Sequence, residues 1–189
     1  MECVILAAQP ISKALCRYIP RSAFIIAVDA GWQQAQRLGI EPDLVLGDFD
    51  SAPLPQNGHN VHRLPAEKND TDTYFAVREA LARGAQKVTI LGGLGGREDH
   101  TFANLQTLRF LAENRVENLL VSQTAEIRCL WPGTVLLPPQ PSRYLSVFAA
   151  GGTASGVCLR AVKYPLHNAT LTPGYPLGVS NEFTNKPAE

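Results

Sequence analysis

The chain has 189 residues, 45% of them apolar and 18% charged, so it can fold as one large domain or two small ones, and its composition excludes fibrous and disordered classes. Seventeen basic residues offset seventeen acidic ones, which gives no support to a nucleic-acid partner. Cys3, Cys16, Cys129 and Cys158 show neither disulfide-framework nor zinc-ligand spacing, the start has no basic leader, and no 18-residue apolar run occurs; a reduced, cytoplasmic protein with no membrane partner is expected.

In chain order, short β-rich runs alternate with amphipathic helical stretches, the pattern of βαβ units feeding a mostly parallel sheet flanked by helices. Strands are expected at CVILAA, FIIAV, LVLGD, KVTIL and NLLVS. A helix starting near Thr73 would carry Tyr74, Val77, Ala80 and Leu81 on one face and end at Gly84. A second, from His100 to about Asn114, would do the same with Leu105, Leu108 and Ala112. After about Gln123 helical periodicity vanishes and Pro and Gly crowd in. TVLL, YLSVFA and ATLT then read as strands of a small antiparallel sandwich. The expected organisation is an α/β domain over residues 1–123 and an all-β sandwich over 124–189, with the change near residues 123 to 126 and no flexible linker.

Three clusters carry chemistry. In PDLVLGDFDS a strand runs into Gly47 and then Asp48 and Asp50, whose i, i+2 spacing projects both carboxylates to one side of an extended segment. Hard oxygen ligands at the carboxyl end of a parallel strand suit Mg²⁺ holding polyphosphate, the alternative being a polar turn. In KNDTDT, Thr71 or Asp70 can cap the following helix, while Lys68 and Asp72 place a cation and a third possible metal ligand at its start. In TILGGLGGREDH, Gly92, Gly93, Gly95 and Gly96 let backbone N–H groups approach a phosphate. This is neither G-x-G-x-x-G nor a P-loop. Arg97 can pair with phosphate oxygens, Asp99 can cap the helix or join the metal set, and His100 reads as structural. All three clusters follow predicted strands, at the edge where parallel α/β sheets bind ligands.

Together with VDAGW and a late GVSNEF, the ordered series GDFDS, K-x-x-T-D and G-G-x-G-G-R-x-D-H with a following Asn resembles the thiamine pyrophosphokinase family over nearly the whole chain. The resemblance implies a catalytic α/β domain, a thiamine-binding β-sandwich, and a homodimer with thiamine between the chains. It implies transfer of the pyrophosphoryl group of ATP to the thiamine hydroxyl, with Mg²⁺ as cofactor. Carried over by position, Asp48, Asp50, Asp72 and Asp99 are the metal-binding acids and, with Arg97, the catalytic set. Asp29, Lys68, Thr71, the four glycines, Arg97 and Asn104 would serve ATP, and Ser180 and Asn181 would lie by thiamine.

Three departures stand out: VDAGW in place of the usual D-G-G, AAQP without the expected glycine, and a stop at Glu189 where members usually continue into one more strand, which bears on whether the sandwich is complete. The competing readings are pyrophosphoryl transfer to another heterocyclic alcohol such as a hydroxymethylpterin, a dehalogenase-like phosphatase, and a non-catalytic thiamine or nucleotide sensor.

Overall fold

The structure is a computed structural model that describes residues 1–49, 60–65 and 69–189. It divides into two compact units, Met1–Trp131 and Pro132–Glu189. Among the described residues, no helix is long and apolar enough to cross a membrane.

The first unit is built on strands β1 (Glu2–Leu6), β2 (Phe24–Val28), β3 (Leu44–Gly47), β4 (Val61–Arg63), β5 (Lys87–Leu91), β6 (Glu117–Val121) and β7 (Glu126–Ile127). They lie in the order β4-β3-β2-β1-β5-β6-β7, parallel except for β7, which returns antiparallel to β6. The helices are α1 (Gly31–Leu38), α2 (Asp72–Ala82) and α3 (Glu98–Glu113), with a 3₁₀ turn over Lys13–Tyr18.

The five expected strands form because their apolar runs are buried on both faces, as a sheet between helices requires. Successive residues of β1 separate accordingly: Cys3 and Ile5 join the layer containing Val77, Ala80, Leu108 and Leu111 of α2 and α3, while Val4 and Leu6 join Ile11, Leu15 and Ala35 on the other side. Each fully buried Leu or Ile contributes about 1.5–3 kcal/mol.

α2 begins at Asp72, one residue before the expected start. Thr71 Oγ1 accepts from the Tyr74 backbone N–H at 3.2 Å, and Gly84 follows the helix at φ 80°. α3 begins two residues earlier than expected, and its buried stripe is Asn104, Thr107, Leu108, Leu111 and Ala112. Leu105 is not on it; it stands 36% exposed. The polar residues take the inner face because each satisfies itself on backbone: Asn104 Nδ2 donates to Gly93 O at 2.7 Å and Thr107 Oγ1 to Ala103 O at 2.9 Å.

The segment after β7 stays with the first unit through buried Asn118, whose Nδ2 donates to Cys129 O at 2.9 Å and whose Oδ1 accepts from Cys129 N at 2.8 Å.

The second unit contains β8 (Tyr144–Val147), β9 (Ala154–Leu159), β10 (Leu166–Leu171) and β11 (Gly178–Glu182). β9 pairs antiparallel with β10, and β8 with β11. Side chains from both pairs, including Leu145, Val147, Leu159 and Leu166, pack around Val162 and Ala188. The expected strand at TVLL is absent. Pro132, Pro138 and Pro139 remove donors around it, and only an isolated bridge from Leu137 to Ala188 remains.

Candidate active site

The strand order aligns four loops along one edge of the sheet: Asp48 after β3, Asp29 after β2, Ala7 to Gln9 after β1, and Gly92 to Arg97 after β5. At the first two, sterics dictate the residues. Asp29 sits at φ 47°, donates its N–H to Leu46 O at 2.8 Å and accepts from Trp32 N at 3.2 Å. Its carboxylate lies across Gly47, where an added Cβ would stand 2.2 Å from Asp29 Oδ1. Gly31 likewise has no room for a side chain, since a Cβ there would meet Leu6 O at 1.9 Å. Ala30 has an ordinary helical backbone at φ −63°, so alanine is accommodated where the usual D-G-G has glycine.

After Asp48, Phe49 stands at φ 58° and packs with Ala27, Trp32 and Val45. A bulky residue in the left-handed region costs of order 1–3 kcal/mol and is held there by its surroundings. The expected metal ligand Asp50 and the expected phosphate partner Lys68 lie outside the described residues. Asp72 is the first residue of α2, and its Oδ1, like Asp29 Oδ1, is closed off from solvent. Thr71 spends its hydroxyl on the helix cap, and Asp70 pairs with Arg78 at 3.1 Å.

The glycine turn is shaped by φ 75° at Gly92, 86° at Gly95 and 72° at Gly96. A Cβ on Gly92 would meet Gln9 O at 2.6 Å, and one on Gly93 would meet Leu120 Cδ1 at 2.9 Å. Gly95 N donates to Thr101 Oγ1 at 3.2 Å. Asn104, expected beside the nucleotide, is buried and uses its amide to hold this turn through Gly93 O.

Arg97 and Asp99 form a two-point pair, Nε to Oδ1 at 3.1 Å and Nη2 to Oδ2 at 2.6 Å, with both side chains exposed. Hydrogen bonds from Arg97, aided by the His100 backbone N–H, hold the Asp99 carboxyl below the usual carboxylate range. Asp99 does not cap α3, whose N-cap position is Arg97, and His100 is exposed. Among the described residues no three His, Cys, Asp or Glu gather as a metal site.

In the second unit Ser180 is exposed at φ 58° and its N–H donates to Ser146 Oγ at 3.1 Å. Asn181 is 4% exposed and fully engaged: Oδ1 accepts from Tyr164 N at 3.0 Å and Nδ2 donates to Tyr164 O at 2.6 Å. It reads the Tyr164 backbone as a neighbouring strand would. A groove lined by Phe148, Leu171, Pro173 and Tyr175 opens in the same unit.

The sequence reading missed Gln9. AAQP stood there only as a strand end lacking a glycine, yet its glutamine side chain lies on Gly96, where a Cβ would be 2.2 Å from Gln9 Nε2. No local pattern signals a contact between loops so far apart in sequence.

Two family models match the chain: "Thiamin pyrophosphokinase, catalytic domain" over residues 15–120 and "Thiamin pyrophosphokinase, vitamin B1 binding domain" over residues 134–189. The thiamine pyrophosphokinase of Bacillus subtilis is 30% identical over 176 residues, 89% of this chain and 82% of that protein. The crystal structure of the Bacillus subtilis thiamine pyrophosphokinase superposes with a TM-score of 0.83 at 27% identity, covering 100% of this chain and 92% of the other. That of the Geobacillus thermodenitrificans thiamin pyrophosphokinase gives 0.81 at 28% identity, with 100% and 91% covered. Matched in sequence through both of its parts and in fold over its whole length, the chain belongs to the thiamin pyrophosphokinase family.

Proposed function

We infer that the protein transfers the pyrophosphoryl group of ATP to the hydroxyl of thiamine, giving thiamine diphosphate and AMP. The observation that carries this reading is the alignment, along one edge of a parallel sheet, of Asp29, Asp48 and a glycine turn ending in Arg97, in a chain of this family. The thiamine oxygen forms a bond to the β-phosphorus while the bond from that phosphorus to the α–β bridging oxygen breaks. AMP leaves with the bridging oxygen, and the hydroxyl proton is released.

Such a transfer depends on in-line positioning and charge neutralisation. The glycine turn offers backbone N–H groups to the phosphate chain, and Asn104 and the buried side of Gly93 keep that turn in place. Arg97 can exchange Asp99 for phosphate oxygens readily, because an exposed ion pair is worth little.

The acidic donor set fits a hard cation, with Oδ1 of Asp29, which follows β2, and Oδ1 of Asp72, which opens α2, both withdrawn from solvent. Asp48 and Asp50, with Asp72, would hold Mg²⁺, and Asp99 would join them on release from Arg97. When bound, Mg²⁺ neutralises charge on the polyphosphate. For the acceptor, the Phe148 and Tyr175 groove offers an aromatic face suited to a cationic thiazolium, and Ser180 a polar group for the pyrimidine edge. A homodimer with thiamine between chains, and a reducing cytoplasm that suits the free cysteines, complete the reading.

The test is incubation with ATP, Mg²⁺ and thiamine, with AMP and thiamine diphosphate measured; EDTA should abolish turnover and added Mg²⁺ restore it. Turnover with a hydroxymethylpterin and none with thiamine would reassign the acceptor. Light scattering of the active sample should give twice the chain mass, and a monomer would exclude a shared thiamine site.

A further inference from the structure

β1 ends at the centre of the edge just described, between β2, which leads to Asp29, and β5, which leads to the glycine turn. Gln9 stands there. Its backbone is fixed to that turn, its N–H donating to Gly92 O at 2.9 Å and its carbonyl facing Gly92 so closely that only glycine fits opposite. Its side chain lies flat on Gly96, where a Cβ would come within 2.2 Å of Nε2 and 3.0 Å of Oε1.

Among the described residues the Gln9 carboxamide, half-buried, makes no hydrogen bond to the protein. Its polar atoms are not closed off from solvent, so the amide is open to a ligand arriving at this edge. Glutamine is suited to this position. It donates to an anion without adding a charge of its own, and its length carries the amide out to the turn.

We propose that Gln9 is a phosphate-binding residue, its Nε2 donating to an oxygen of the nucleotide's phosphate chain as that chain lies along Gly95 and Gly96. Gly96 is glycine for its backbone at φ 72°, and the absence of a side chain leaves the space in which the amide lies. This rests on the reading of the site as one for ATP.

Calorimetric titration with Mg·ATP of the wild type, Gln9→Ala and Gln9→Glu tests it, with thermal unfolding measured alongside. Gln9→Ala should weaken binding about tenfold, the worth of one hydrogen bond to a charged group. Gln9→Glu keeps the size and shape but sets a carboxylate against phosphate, so binding should fall about a hundredfold or more, while the KM for thiamine and the unfolding midpoint stay put. A residue that merely fills space would tolerate the glutamate, so wild-type affinity in Gln9→Glu overturns the proposal. If Gln9→Glu alone fails to fold, Gln9→Ala decides, and unchanged affinity there overturns it equally. A wild type that binds no Mg·ATP instead sinks the ATP reading of the site, and this assignment with it.

Discussion

Asp29 and Gly47 share one space: the carboxylate that follows β2 lies across the last residue of β3, and a methyl group on Gly47 would stand 2.2 Å from Asp29 Oδ1. Gly47→Ala must therefore displace Asp29 or bend β3. Overpacking of this kind costs about 1–3 kcal/mol, and each kcal/mol lowers the unfolding midpoint by roughly 2–4 °C in a chain of this size. Turnover should fall at least about tenfold through the displaced carboxylate. Calorimetry and a steady-state assay check both, and a variant as stable and active as the wild type would mean Asp29 is not set by this contact.

Asp48 directly follows Gly47, the last residue of β3, and is half-buried. Asp48→Asn keeps the shape and removes one charge, so turnover should drop by about two orders of magnitude or more with little change in unfolding. Near-normal turnover would remove Asp48 from the metal set.

Ser180 and Asn181 are adjacent, yet they should behave differently. Asn181→Ala takes away the partners of Tyr164 N and Tyr164 O, and because Tyr164 is exposed it should cost about 0.5–1.5 kcal/mol for each hydrogen bond lost. Ser180→Ala leaves its backbone bond to Ser146 intact and should raise the KM for thiamine, not that for ATP, at unchanged stability. An Asn181→Ala variant of full stability would refute the pinning role, and a Ser180→Ala variant altered only in the KM for ATP would move the acceptor pocket elsewhere.

Asp99 should titrate below the ordinary Asp value of about 3.9 because Arg97 favours its charged form. A folded-state pKa that is depressed contributes stability above the unfolded value and loses it as pH falls through the folded one, so the pair should persist under mildly acidic conditions. Carboxyl-carbon NMR should place the midpoint low in the wild type and return it toward the ordinary value in Arg97→Gln. Equal midpoints in the two proteins would contradict the pairing.

The strands of the parallel sheet could be read from sequence because burial on both faces demands continuous apolar runs, as in Val4 to Leu6 and Leu44 to Leu46. α1 gave no such signal, since GWQQAQRL buries only Gly31, Trp32 and Ala35, and neither did β4, with exposed His62 and Arg63. Leu105 and TVLL misled in the opposite direction. In the first case Asn104 and Thr107 could bond to backbone and take the inner face; in the second, prolines denied an apolar run its ladder. Within the site, Asp48, Asp72 and the glycines stood out because their chemistry is local. The engaged amides of Asn104 and Asn181 and the packing of Gln9 on Gly96 depend on partners in other elements, which no short pattern encodes.

With β1 in the middle of the sheet, the order in which the chain is synthesised runs against the order in which its edges are satisfied. Glu2 to Leu6 emerge first, but their second neighbour, Lys87 to Leu91, is made only after α2. Until then a nascent chain can close β1 on β2 while the other side of β1 presents unpaired N–H and C=O groups, a template for pairing with another chain. The ribosome must therefore carry this protein well past its first site residues before the N-terminal strand is safe from aggregation, and a translation pause before Lys87 prolongs the interval in which a chaperone has something to cover.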